Sequence, residues 1–327
     1  MAEKTIIEVI REALDEEMAR DERVMVLGED VGVRGGVFRA TEGLITKYGE
    51  ERVIDTPLAE LGIVGIGIGL ALNGMRPVAE IQFADFIHPA FDQIVSEASR
   101  IRYRSNGSWT CPLVIRAPFG GGIGGGLYHS QSVEAYFAHV PGLKVVVPST
   151  PYDAKGLLKA AIRDEDPVLF LEHKKTYRLI RGEVPDDDYV VPIGPADVKR
   201  EGEDMSVFAY GLMLRHCLDA AVDMEREGVS VEVVDLRTLA PLDKETIVNS
   251  VKRTSKALIV YEDNLTMGMG AEVAAVIAEK AFEYLDGPVT RLASPDVPGV
   301  PYSPPMQDLF MPNKQKILAA MRDLAAY

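Results

Sequence analysis

Two places in the sequence set an ionisable side chain beside enough glycine for a ligand to come close. The first is VIDTPLAELGIVGIGIGLALNG at 53–74, where Glu60 heads a helix-forming run among Leu58, Ala59, Leu61 and Ile63. A carboxyl group in apolar company is costly unless it is paired or neutral. It can act as a proton-sharing catalytic acid, or it can simply meet the positive end of the helix dipole. The residues alone favour the dipole role and leave the catalytic one open. The second place is GGGIGGGLYHS at 120–130, which ends on His129. Such a run is either a mobile surface loop or a stretch where backbone and imidazole approach a substrate. Both readings stand.

Neither glycine run spells a nucleotide site. A dinucleotide fingerprint needs glycine at position 70 after Gly65 and Gly67, or at 72 after Gly67 and Gly69, and these positions hold Leu70 and Leu72. The four glycines read better as letting the helix lie close to a neighbouring backbone or a flat ligand. A phosphate loop needs lysine and serine or threonine after its last glycine, whereas Leu127 follows Gly126. His88, His139, His173 and His216 lack metal-ligand spacing, so no transition metal is expected. Cys111 and Cys217 are too few for a disulfide framework or an iron–sulfur cluster and fit a reducing compartment, here the cytoplasm.

The elements that must position these residues follow from period. Apolar runs at 24–30, 76–82, 112–118, 143–148 and 167–172 alternate with helical patterns at 62–73, 89–103 and 151–163. Strands flanked by helices build a mainly parallel sheet covered on both faces, an α/β domain of three layers. At the amino terminus Thr5 and Glu8 make a capping box, and Ile6, Ile10, Leu14 and Met18 mark an amphipathic helix rather than a signal or transit peptide. Arg100, Arg102 and Arg104 close the helix predicted near 89–103, for capping and solvation or for interface ion pairs. The proline- and acid-rich stretch GEVPDDDYVVPIGPADVKREGED at 182–204 lacks period and reads as a linker. The expected division is a domain at 1–185, a linker at 186–204 and a second α/β domain at 205–327, with helices near 212–227, 243–252, 269–284 and 313–325. With 47% hydrophobic residues the chain is expected to bury a sizeable core. The net charge of −15 disfavours nucleic-acid and membrane-surface partners, and no apolar run is long enough to span a bilayer.

Several long strings in order, GEDVGVRGGVFRATEGL, RVIDTPLAELGIVGIGIGLALNGMRPVAEIQFADF, GGGLYHSQS, HVPGLKVVVPSTPYDAKGLLKAAIRDEDPV and VEVVDLRTLAPLD, resemble the β subunits of thiamine-diphosphate-dependent 2-oxo acid dehydrogenases. The likeness runs from about Gly28 to about Asp263 and continues more weakly to the end. It implies an N-terminal domain that binds the aminopyrimidine of thiamine diphosphate and a C-terminal domain similar to the last domain of transketolases. The family's PLxE glutamate falls on Glu60, where a carboxyl group bonded to the pyrimidine nitrogen favours the imino tautomer that takes the thiazolium proton. The resemblance thereby reverses the weighting that the residues alone give Glu60. It also implies Leu58, Gln82 and Phe86 around the ring, Glu29 in support, and His129 orienting or protonating the substrate adduct. Some members hold a structural potassium ion, and the matching positions are Leu113, Ala161, Ile162, Asp164 and Asp166, which could equally form a strand-edge turn.

The chain has no GDG motif, so the resemblance places the diphosphate and its magnesium on an α subunit, in a heterotetramer of two α and two β chains. It further implies docking on a dihydrolipoyl acyltransferase core and acyl transfer to its lipoyl domain. The proline pattern of PDVPGVPYSPPMQDLF at 295–310 departs from common members. EIQFADF and LYHSQS look most like the branched-chain type, with pyruvate and acetoin as alternative substrates. A ferredoxin-linked oxidoreductase is disfavoured by the cysteine count, and a non-enzymatic scaffold subunit is the remaining rival.

Overall fold

The computed structural model describes residues 2–327. The chain divides into two compact units, one of Met1–Phe119 with Tyr136–Ile193, the other of Gly120–Ala135 with Gly194–Tyr327.

In the first unit β1 (Ala2–Thr5) leads into the helix Ile6–Arg20, and the expected capping box is formed: the Thr5 amide donates to the Glu8 carboxylate at 2.7 Å and the Glu8 amide to the Thr5 hydroxyl at 3.4 Å. Ile6, Ile10, Leu14 and Met18 are all buried. The strands that follow are β2 (Val24–Gly28), β3 (Val53–Asp55), β4 (Arg76–Glu80), β5 (Val114–Phe119), β6 (Lys144–Val146) and β7 (Val168–His173). They lie in the order β6-β7-β5-β4-β2-β3, every neighbour parallel. β5 and β7 are buried at every residue, as a sheet covered on both faces requires. β8 (Arg181–Val184) returns antiparallel to β1.

The helix expected at 89–103 is broken into short turns, with a π turn at Gln93–Glu97 and an α turn only at Ile101–Arg104. Pro89 sits in the first of these turns, and the Ser99 hydroxyl donates to the Val95 carbonyl at 2.8 Å, competing with the backbone ladder. Of the basic cluster, Arg102 pairs with Asp166 at 2.5 Å and Arg104 with Glu97 at 2.8 Å.

The stretch expected as a linker is not structureless. The units part at Ile193 and Gly194, and β9 (Asp197–Arg200) is the edge strand of a second sheet. Its partners are β10 (Met205–Ala209), β11 (Val231–Asp235), then, after the short β12 (Thr238–Ala240), β13 (Ala257–Asn264) and β14 (Thr290–Ser294). The order is β14-β13-β10-β11-β9, with β9 alone antiparallel. Helices Leu212–Arg226, Lys244–Thr254, Met269–Lys280 and Lys314–Ala325 stand where the period places them. The unusual prolines near 304 open a short helix, Pro304–Phe310, at positions where proline's missing amide hydrogen costs nothing. Among the described residues no helix is long and apolar enough to cross a membrane.

Across β4, β5 and β7 runs a wholly buried ion cluster. Glu80 faces Arg116 in the ladder, and Arg116 donates to Glu80 at 2.6 Å and to both oxygens of Glu172 at 2.6 and 2.7 Å. The Tyr177 hydroxyl adds a bond to Glu172 at 2.5 Å. Burial pushes the Glu80 carboxyl up, and the Arg116 charge opposes it. Arg116→Met strands two carboxylates in the core, so urea unfolding should show a loss of about 3–5 kcal/mol. An unchanged midpoint would mean the carboxylates find other partners.

Candidate functional site

In open parallel sheets ligands bind beyond the carboxyl ends of the strands. The order β4-β2-β3 brings three of the expected residues to that edge. Glu29 follows β2, Gln82 follows β4, and Glu60 opens the helix Glu60–Leu72 after β3. The loop after β2 is tied to β3 through the Gly32 amide, which donates to Asp55 at 2.6 Å. The Gln82 amide reaches the Glu29 carbonyl at 3.5 Å. Burial first, then the charges of Asp30 and Glu60, raise the Glu29 carboxyl.

Glu60 is buried, yet Leu58 before it is 72% exposed and Leu61 after it 52%. The helix has no side-chain cap at Ala59, so the acid is placed for the dipole but does not close the helix end. Phe86 is half-buried, edge-on to Phe83 at 5.6 Å. Of the helix glycines, Gly67 is the close-packed one: a Cβ there would lie 3.0 Å from Leu113 Cδ1, whereas Gly69 faces open space. A cavity of about 380 Å³ opens nearby, but Asp30, Arg34, Gly36, Val37 and Arg39 line it, not the expected ring contacts. A buried carboxyl, an amide and two apolar walls remain as the donor set, and that chemistry fits a flat heteroaromatic ring.

The second unit contains the glycine loop, and there the glycines are contact points. A Cβ on Gly125 would lie 2.7 Å from the His129 carbonyl oxygen, one on Gly121 2.9 Å from Met311 Sδ, and one on Gly126 would strike the Tyr302 ring. The Gly120 amide donates to the Gln131 carbonyl at 3.0 Å, closing the neck of the loop, and the Gly121 amide donates to the Glu262 carboxylate. His129 follows the turn Gly126–Tyr128 and is half-buried. The packing of Gly125 and Gly126 departs from the mobile-loop reading.

A group the sequence did not mark lies beside this loop. Glu134, wholly buried, accepts the Tyr210 hydroxyl at 2.8 Å. Burial, and after it the charges of Asp263 and Glu262, push its carboxyl up to about 8. The only signal was an acid five positions after His129 in HSQSVE; its partners arrive through the sheet.

The positions matched to potassium are engaged by protein groups. The Ile162 and Asp164 carbonyls both accept from Arg76 at 3.0 Å, the Asp164 carboxylate from Lys144 at 2.7 and 2.6 Å, and the Asp166 carboxylate from Arg102 at 2.5 Å. The Leu113 carbonyl accepts the Val168 amide and the Ala161 carbonyl the Asp164 amide. Each of these carbonyl oxygens carries two lone pairs, so one accepted bond leaves it able to accept another. Among the described residues no group of three or more His, Cys, Asp or Glu side chains is arranged for a metal ion.

Together the two units define a transketolase-type protein: residues 2–180 match the transketolase pyrimidine binding domain and residues 194–317 the transketolase C-terminal domain. A solved structure titled split gene transketolase, inactive beta4 tetramer, is similar at TM-score 0.79 and 25% identity, over 98% of each chain. Full-length relatives narrow the class. The chain is 61% identical to the 2-oxoisovalerate dehydrogenase subunit beta of Bacillus subtilis (strain 168) and 51% identical to that organism's pyruvate dehydrogenase E1 component subunit beta, each over 100% of both chains. The chain belongs to the family of 2-oxo acid dehydrogenase β subunits.

Gly125→Ala is expected to overpack the loop by about 1–3 kcal/mol and to shift the His129 imidazole resonances. Wild-type stability with unmoved resonances would show that the loop absorbs a Cβ freely.

Proposed function

We propose that this chain supplies the aminopyrimidine half of a thiamine-diphosphate site that oxidatively decarboxylates a branched-chain 2-oxo acid, with acyl transfer to lipoyllysine. The observation that carries the reading is Glu60, a buried carboxyl at the carboxyl edge of the parallel sheet with exposed Leu58 and Leu61 beside it. The higher identity to the 2-oxoisovalerate subunit than to the pyruvate subunit favours the branched-chain substrate, with pyruvate second.

Bound thiamine diphosphate supplies a nucleophilic carbon that adds to the 2-oxo group and accepts the electrons left when carbon dioxide departs. Glu60 holds the proton shared with the ring nitrogen, and Glu29, whose carboxyl is raised by burial and by the charges of Asp30 and Glu60, lines the same corner. Leu58 and Phe86 wall the ring, and Gln82 is oriented by its bond to the Glu29 carbonyl. His129 orients the 2-oxo acid and moves a proton at its reacting oxygen.

The missing GDG motif supports placing the diphosphate and magnesium on an α subunit, in a heterotetramer of two α and two β chains that delivers acyl groups to the lipoyl domain of a dihydrolipoyl acyltransferase core. Both cysteines are buried free thiols, which suits the cytoplasm.

With its α subunit, thiamine diphosphate and magnesium, the chain is expected to decarboxylate 3-methyl-2-oxobutanoate faster than pyruvate, and neither chain is expected to act alone. Glu60→Ala should lower the rate at least about a hundredfold. A wild-type rate in that variant would leave only the scaffold reading.

A further inference from the structure

The loop that carries His129 is held at both ends by carboxyl groups that the reaction itself does not use. At its start, the Gly121 amide donates to the Glu262 carboxylate. Beyond its return, Glu134 is wholly buried, with Oε1 accepting the Tyr210 hydroxyl at 2.8 Å and Oε2 buried without a hydrogen-bond partner among the described residues. The sheet brings these groups together: β10 and β13 pair in parallel with Ala209 opposite Val260, so Tyr210 and the run Tyr261, Glu262, Asp263 leave the same sheet edge.

We propose that Glu134 and Glu262 are positioning residues for His129, Glu262 pinning the outgoing strand of the Gly120–Ser130 loop and Glu134, through Tyr210, the returning one. The proposal rests on the catalytic reading of His129 given above. Within it, glycine supplies close packing and the two carboxyls supply the fixed points. The groups that face Glu134 are Tyr210, Glu262 and Asp263, with Tyr261 behind Tyr210.

Such a clamp depends on one proton. Burial favours the neutral acid, and it outweighs the Glu134 backbone amide and the Tyr210 hydroxyl, which favour the carboxylate. Ionising Glu134 beside Asp263 and Glu262 also gathers like charges where water does not screen them. Because burial raises the folded-state carboxyl from 4.5 to about 8, its stabilising contribution is whole below about 4.5 and is lost as the pH rises through about 8. The loop therefore loosens on the alkaline side.

Hydrogen exchange of the Gly121–Gly126 amides, corrected for intrinsic rates, tests this on the full-length chain in its α–β complex from about pH 6 to about pH 9. Wild type should lose protection about tenfold across the upper part of that range. Glu134→Gln, which keeps an acceptor and cannot ionise, should stay protected throughout, and Tyr210→Phe should be loose at every pH. Decarboxylation should show an alkaline fall in wild type that moves to higher pH in Glu134→Gln, with little change in KM. Protection that ignores pH, or the same loss in wild type and Glu134→Gln, would overturn the proposal. Protection that follows the scheme while the rate does not would support the clamp and remove His129 from the chemistry, so failure of the function is distinguishable from failure of the clamp.

Discussion

The first unit depends on the pairing of Arg116 with Glu80 and Glu172, because that cluster fixes three parallel strands against one another. A strand alternates faces, so sliding β4 by a single residue would turn Glu80 to the opposite side and leave a guanidinium unpaired in the core. A slip already displaces the apolar side chains, and the bidentate charge pair adds the cost of an unpaired buried charge. The consequence reaches the ligand edge, since Gln82 lies two residues beyond Glu80. Phe83 lies under the Lys174 ammonium at 5.7 Å, and the same ammonium donates to the Pro118 carbonyl at 3.3 Å. The loop after β2 leans on the cluster too: a Cβ on Gly36 would lie 3.0 Å from Glu80 Oε1. Buried ion pairs contribute little net stability, so what this one supplies is register.

A second electrostatic seam holds the amino-terminal helix to the helix Pro151–Arg163. Lys155 and Lys159 are each 1% exposed and both reach Glu16 at 2.6 Å, while Arg163 reaches the buried Glu17 at 2.6 Å. Their stems cover apolar surface and their charges meet carboxylates on the facing helix. Together with the capping box at Thr5 and Glu8, this sets where β1 and β2 enter the unit.

The sequence disclosed features that repeat locally and concealed those that form across distance. The main strands of both units and the amino-terminal helix carry strong period and stand where expected, whereas Val53–Asp55 is too short to show alternation. The stretch at 89–103 has helical period but breaks because Ser99 bonds back to the chain, and the acid-rich stretch at 186–204 conceals an edge strand whose half-buried residues show no clear pattern. Glycine content alone suggested mobility at 120–126, yet Gly121, Gly125 and Gly126 pack closely against their neighbours, while Gly124 between them faces open space. Glu60 was visible as an acid among apolar residues, although its chemistry came only from the resemblance. Glu134, Tyr210 and the neighbours Glu262 and Asp263 are far apart in sequence; the pairing of β10 with β13 gathers the last three, and the Tyr210 hydroxyl reaches Glu134.

The proton-sharing role proposed for Glu60 calls for apolar surroundings on every side, and this chain supplies them only in part. Glu60 is buried, but Leu58, Leu61 and Ile66 of the same segment stand 72%, 52% and 53% exposed. Exposed aliphatic side chains beside a buried acid leave the local dielectric to be set by whatever covers them. Covering them removes apolar surface from water. In the proposed function that cover comes with the partner chain, so the corner around Glu60 is completed only in the assembly.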